Sequence, residues 1–244
     1  MHAITFNYNQ KHSIEVSAAI DVARLANVRD HYLCRIDKLW SASPLVDEKQ
    51  SLETYESFAR MVETIGGRTE LTFVPMRNLI FLVFAANYAV HVGATEIGIG
   101  VSQEDTANYP DCRSSFIASA EDALNIALGE GHTRLQIHTP LAYRSKADSI
   151  RYAMTLPGCY KALAYTHTAY SGEYPPITQD HATVLRAEGF RVAAVPDPMI
   201  ARAAFEGKIN CPDGVHYAVV RRLHNLKGTI DYKLDLLAHE MGAV

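Results

Sequence analysis

Apolar and polar positions along this chain switch repeatedly between a strand-like and a helix-like period. His2–Tyr8, HAITFNY, is short and rich in β-branched and aromatic residues, which predicts a strand near the chain start. In SIEVSAAIDVARLANV the apolar residues recur at helical spacing, with Ser13 placed to cap the helix. HYLCRID (His31–Asp37) reads as a second strand. Residues 40–70 are polar and irregular, with a helix expected over Glu48–Ile65 that ends at Gly66 and Gly67. RNLIFLVFAANYAVHVG is apolar nearly all round, the pattern of a helix buried against a sheet on more than one side. TEIGIGVS predicts a buried strand, SSFIASAEDALNIALGEG an amphipathic helix closed by Gly129 or Gly131, LQIHTPL a strand, and SKADSIRYAMTL a helix capped by Ser145. This alternation argues for an α/β fold with a mostly parallel sheet over residues 1–200. From Ala201 the pattern changes. GVHYAVVRRLH reads as a late strand and YKLDLLAHEMG as a final short helix, so residues 201–244 form an extension that packs on the domain or completes it.

Composition narrows the function classes. Hydrophobic residues make up 48% of the 244, enough for a sizeable core. A formal net charge of −4 argues against a protein whose main task is gripping nucleic-acid phosphates. No window approaches the roughly 18 uninterrupted apolar residues of a membrane span, and MHAITFNYNQ lacks the pattern of a secretory signal. Cys34, Cys112, Cys159 and Cys211 are widely spaced and form no C-x-x-C pair. A disulfide framework is not expected, and a reducing cytoplasm fits this usage.

Two segments carry candidate chemistry. GIGVSQEDTANYPDCRSSF (Gly98–Phe116) packs acids, an aromatic, a cysteine and an arginine just past a buried strand. In a parallel sheet, ligands bind beyond the carboxyl ends of the strands, which is where Asp105 to Arg113 would lie. In FVPMRNLIFL, Arg77 and Asn78 precede a buried helix whose free N–H groups would favour an anion such as a phosphate; an ordinary helix start is the other reading. Cys112 has no neighbouring base in sequence and reads as a packing residue.

AITFNYNQKH, TFVPMRNLIFL, GIGVSQEDTANYPDCRSSF, IHTPLAYRSKAD and VLRAEGFRVAAVPDP occur in an order and spacing that resembles the 7-cyano-7-deazaguanine synthase (QueC) family, from His2 to about Pro198. That family is a branch of the PP-loop ATP pyrophosphatases, so the resemblance implies a parallel-sheet sandwich of the adenine nucleotide alpha hydrolase-like type. Family members use ATP with magnesium to activate the carboxylate of 7-carboxy-7-deazaguanine, which ammonia converts through an amide to the nitrile preQ0. The product feeds queuosine in transfer RNA, and related deazapurines occur in some phage DNA. By resemblance, Arg77 and Asn78 face the nucleotide, and Lys146 neutralises phosphate charge or is an exposed first-turn lysine. Asp105, Tyr109, Asp111 and Arg113 would shape the deazapurine pocket, Arg113 forking onto the carboxylate.

Two departures from the family alter what is expected. Family members open with a strand and a Ser-Gly-Gly-x-Asp-Ser loop that cradles pyrophosphate. These 244 residues contain no such loop and start at the family's second strand. The family's four zinc cysteines fall here on Ala169, Ile177, Asp180 and Thr183, so no structural zinc is expected, although His167, Asp180 and His181 remain as donors. Losing an inner strand would leave orphaned backbone groups at about 1–3 kcal/mol each. The tail, through Gly214–Arg222, or a partner chain is therefore expected to repair the sheet. Catalysis by this chain alone is not expected. The alternatives are a pseudoenzyme serving a partner or a homo-oligomer, and a deazapurine-binding module.

Overall fold

A computed structural model describes residues 1–10, 14–47 and 49–244. Strand β1 (His2–Asn7) and strand β2 (Asp30–Arg35) pair in parallel, His2 opposite Asp30 and Asn7 opposite Arg35. Parallel neighbours need a crossover, supplied here by helix α1 (Ile14–Leu25). Its expected cap, Ser13, lies outside the described residues. The helix expected from Glu48, itself outside those residues, is confined to α2 (Phe58–Ile65). Ser57 starts it by accepting a hydrogen bond from the Arg60 amide at 3.3 Å. The preceding stretch cannot be helical in full, because the Tyr55 amide is drawn off to the Gln179 carbonyl at 2.8 Å.

Helix α3 (Arg77–Val92) follows and stops at Gly93, whose φ of 71° lies in the left-handed region that glycine tolerates. Strand β3 (Glu96–Gly98) is shorter than TEIGIGVS suggested, and the loop expected over Asp105–Arg113 is partly helical. It contains α4 (Gln103–Asn108) and a 3-10 turn at Pro110–Cys112, ahead of α5 (Ser114–Leu128). Strand β4 (Gln136–His138) pairs in parallel with β3. Its outer edge is capped by side chains of α5. The Asn125 amide group exchanges hydrogen bonds with Leu135, at 2.8 and 2.9 Å, and Glu121 accepts from the Ile137 amide at 2.7 Å. Buried polar side chains thus do the work of a neighbouring strand.

The sheet is split. β1 pairs with β2 and β3 with β4, and no ladder joins the two pairs among the described residues. Between β1 and β3 lies a cleft of about 920 Å³, floored by Phe81, Leu82 and Ala85 of α3 and walled by Ile4, Phe6 and Ile97. This explains the all-round apolar pattern of α3 differently from the expectation. Leu82, Ala86 and Ala89 enter the core, but part of the helix faces this open cleft rather than a continuous sheet.

The rest of the chain is helical: α6 (Lys146–Met154), α7 (Cys159–Ala162), α8 (His181–Ala193), α9 (Pro198–Phe205), α10 (Ala218–His224) and α11 (Ile230–Glu240). Ser145 caps α6 as expected, accepting from the Asp148 amide at 3.1 Å. Helix α9 runs across residues 200–201. The late strand over Gly214–Arg222 is a correction: this stretch is a 3-10 turn, Val215–Tyr217, running into α10, and it adds to no sheet. Its β-branched residues suggested extension, but Tyr217, Val220 and Leu223 are buried at three-residue spacing while Val215 is 90% exposed, a helical face. Val220 and Leu223 join Leu234, Leu237, Tyr160, Phe190 and Ala204 in one core. The tail therefore stabilises the helical layer and does not repair the sheet.

Helices α6 and α8 cross closely at Gly189, where an added Cβ would sit 2.8 Å from the Lys146 Cβ and 3.2 Å from Ile150 Cδ1. Gly189→Ala is expected to cost about 1–3 kcal/mol by overpacking, in spite of alanine's higher helix propensity of about 1 kcal/mol. Urea unfolding midpoints of the two proteins check this.

Candidate functional site

A second cleft, of about 760 Å³, opens past the carboxyl end of β3, between the start of α3, the α4 segment, α6 and α8. Arg77, Asn78, Asp105, Tyr109 and Lys146 all line it. The connection from β3 into α4 is fixed by Asp105, whose Oδ2 accepts from the Ser102 amide at 2.8 Å and the Ser102 hydroxyl at 2.7 Å. The Lys146 ammonium donates to Ser102 Oγ at 3.0 Å and sits 4.0 Å from Asp105. Its backbone amide donates to Glu104 Oε1 at 2.6 Å. Lys146 is thereby positioned toward the cleft by its own helix start, and a third of its side chain stays accessible.

Asp111 and Arg113 are placed differently. Asp111 is buried outside the cleft lining, and its carboxylate accepts from the Asn78 amide at 3.1 Å. The Asn78 side chain answers by donating to the Asp111 carbonyl at 3.1 Å and to the Cys112 sulfur at 3.3 Å. The first turn of α3 is thus capped from 33 residues away, so the Asn78 N–H expected to meet a phosphate is already committed. Arg113 is exposed at the start of α5, outside the lining.

Arg77 is the unusual charge. Burial opposes its cation, and the phenolic oxygens of Tyr8, which accepts a hydrogen bond from it, and of Tyr170 and Tyr109 offset that penalty. No carboxylate lies within 4.0 Å of it among the described residues, but Glu15, which accepts from Gln10 at 2.7 Å, is near enough for the Arg77 charge to favour its ionised form. A largely enclosed guanidinium whose direct hydrogen-bond partner is a neutral phenol keeps capacity for an anion. Burial raises the phenol pKa of Tyr109, whose hydroxyl lies 2.6 Å from Thr72 Oγ1, and raises that of Tyr170 to about 12, Arg77 opposing the shift. Both are neutral hydrogen-bonding groups at physiological pH. Burial, then the carboxylates of Asp105 and Asp111, push the Cys112 thiol up to about 12, so it is protonated and packs rather than attacks.

Tyr170, His181, Thr168 and Arg186 complete the wall and were not anticipated as pocket residues. The sequence offers His181 only as a possible metal donor and assigns no pocket role to Arg186, within VLRAEGFRVAAVPDP, or to Thr168 and Tyr170; only the three-dimensional fold brings α8 and the 166–170 segment to the cleft. The His181 ring meets the Tyr109 ring edge-on at 6.4 Å. Burial lowers its pKa below the ordinary 6.5, Asp105 partly opposing. A histidine neutral when folded and basic when unfolded contributes stability above the unfolded pKa that is lost as pH falls. Stability is therefore expected to decline from about pH 6.5 downward, and His181→Gln to flatten that decline, as denaturant titrations at pH 7.5 and 5.5 would show.

The residues at the family's zinc positions do not fit the metal. Ala169 and Ile177 offer no donor atom, and both Asp180 carboxylate oxygens already accept backbone N–H groups. Among the described residues no cluster of three or more His, Cys, Asp or Glu could hold a metal ion.

Comparison with known proteins gives the family. The family model described as queuosine biosynthesis protein QueC matches residues 1–194. The 7-cyano-7-deazaguanine synthase of Laribacter hongkongensis is 39% identical over 204 residues, 83% of this chain and 84% of that protein. Those of Chromobacterium violaceum and Gloeobacter violaceus are 38% and 39% identical over 208 and 206 residues, covering 85% and 82% of this chain and 85% and 84% of their own lengths. With a parallel α/β core, a cleft past the strand ends and this breadth of similarity, the chain belongs to the QueC family.

Proposed function

We propose that the cleft binds a carboxylated 7-deazapurine, of the class typified by 7-carboxy-7-deazaguanine, and that this polypeptide by itself does not carry out the ATP-driven conversion to the nitrile. Arg77, which has no carboxylate within ion-pair distance among the described residues and lines the same cleft as Lys146, carries the first half of the reading. It suits an anionic ligand whose flat ring is held among Tyr109, Tyr170 and apolar side chains such as Leu141 and Ile150. The second half rests on the absence of a Ser-Gly-Gly-x-Asp-Ser loop from these 244 residues. Without that amide-lined cradle, magnesium–ATP lacks its pyrophosphate grip. Calorimetric titration of the purified chain is expected to give binding of 7-carboxy-7-deazaguanine and none of ATP. Formation of preQ0 from the acid, ATP and ammonia by this chain alone would overturn the second half; absence of deazapurine binding would overturn the first.

A second reading, a partner-binding role, is favoured by the cleft between β1 and β3. Met1 and Asn7 give their carbonyls to the β2 side, so by strand alternation His2, Ile4 and Phe6 direct their backbone groups into the cleft. Thr95 and Ile99 bond to the β4 side, which turns the backbone of Glu96 and Gly98 toward the same space. An extended segment of a second polypeptide would pair both edges at once. Hydrogen exchange read with sedimentation tests this: the Ile4, Phe6 and Gly98 amides are expected to exchange fast in the monomer and slowly in the assembly. A monomer whose amides are already protected contradicts it.

A further inference from the structure

One of the four positions matched to the family's zinc thiolates is now a buried carboxylate, Asp180. Asp180 is 1% exposed. Its Oδ1 accepts from the Thr183 amide at 2.8 Å, the bond of an ordinary helix cap. Capping alone does not account for its other oxygen, which accepts at 2.6 Å from the amide of Tyr170, ten residues back and next to Ala169. Ala169 itself is fully buried. Ile177, at 76% exposed, has left the cluster.

We infer that the Asp180 carboxylate is a metal-free clamp that replaces the structural zinc, tying the Thr166–Tyr170 segment to the start of α8. Two of the four former ligand positions, Asp180 and Thr183, and the residue next to a third, Tyr170 beside Ala169, meet through this one side chain, by two charge-assisted N–H···O bonds in place of metal–thiolate bonds. Secondary ties hold the same segment. The His167 ring nitrogen lies 3.0 Å from the Ala169 carbonyl, and Arg186 donates to the Thr166 and Thr168 hydroxyls at 2.7 and 3.1 Å. Each arm of the clamp carries cleft residues, Thr168 and Tyr170 on one and His181 and Leu185 on the other. Asp180 is thus a positioning residue for the wall of the cleft, and that wall needs no metal to stand. The clamp holds the wall whichever ligand the cleft takes.

The test uses the full chain. The purified protein is expected to contain no stoichiometric zinc and to keep its melting temperature in a strong chelator; one zinc per chain, with a melting temperature that falls on chelation, would falsify the clamp. Asp180→Asn preserves shape but sets an NH2 group against one of the two amides. It is expected to speed hydrogen exchange of the Tyr170 or Thr183 amide at least tenfold and to shift that amide resonance upfield. Unchanged exchange and resonances at both amides overturn the inference. Ala169→Cys/Asp180→Cys/Thr183→Cys, measured with zinc sulfate alone, is expected to take up one zinc per chain and to become chelator-sensitive. A folded triple variant that takes up none shows that the positions do not converge, and equally overturns it.

Discussion

Replacing Asp197 by alanine is expected to lower the stability of this protein by about 3–5 kcal/mol, the cost of breaking a buried ion pair from one side. Arg186 and Asp197 are 13% and 5% exposed, with Nε to Oδ2 at 2.6 Å and Nη2 to Oδ1 at 2.8 Å, a two-pronged contact. The rest of the guanidinium is also committed, donating to the Leu163 carbonyl at 3.1 Å and lying 5.3 Å from the Phe190 ring centroid. Without Asp197 this cation remains buried and cannot shed its proton. Asp197 also caps α9, accepting from the Met199 amide at 2.9 Å, which adds about 1 kcal/mol to the loss. At about 2–4 °C per kcal/mol for a chain of this size, the melting temperature should fall by roughly 10 °C. A drop of under about 1 kcal/mol in urea titrations would mean that water reaches the pair.

The second large effect concerns ligand affinity. Arg77→Ala is expected to weaken 7-carboxy-7-deazaguanine binding by about a hundredfold or more, in line with roughly 2–5 kcal/mol for truncating a buried charge that meets an opposite one. Arg77→Lys keeps the charge but not the planar fork, so its loss should be smaller, about tenfold. The unliganded protein should respond in the opposite direction. An enclosed cation with no carboxylate in direct contact is a burden that Glu15 relieves only from a distance, and Arg77→Met should leave stability unchanged or raise it by about 1 kcal/mol. Affinity falling while stability holds separates a ligand-binding role from a scaffolding one. Calorimetry beside thermal unfolding reads both. If affinity and stability drop together, Arg77 belongs to the scaffold.

Much of the fold was legible wherever local rules and tertiary packing agree. The β-rich His2–Asn7, the Ser145 cap and the Gly129 stop each report a conformation that the surrounding few residues determine. The sequence also placed the Asp105–Tyr109 stretch past a strand end, where the cleft opens. It misled where composition and periodicity pull apart: the run Ala218–Val219–Val220 has strand-like side chains, and the burial of Val220 and Leu223 against α11 and Phe190 decides for helix. It was silent where partners are far apart in the chain. Asp111 capping α3, Arg186 seated on Asp197 and Asp180 reaching Tyr170 leave no periodic trace, because each depends on how distant elements are docked. The divided sheet was likewise invisible, since strand propensity says nothing of which edges meet.

Helix α3 borders two chambers. Its first turn, with Arg77 and Asn78, reaches the cleft past β3, and Leu82, Ala85 and Ala89 further along reach the cleft between β1 and β3; Ile99 and Gly100 belong to both. A sixteen-residue rod bends little, so a load at its middle is transmitted to its tip. Whatever wedges beneath the rod leans on the guanidinium at its end, and by thermodynamic reciprocity a guest at that end changes the grip on the wedge by the same factor.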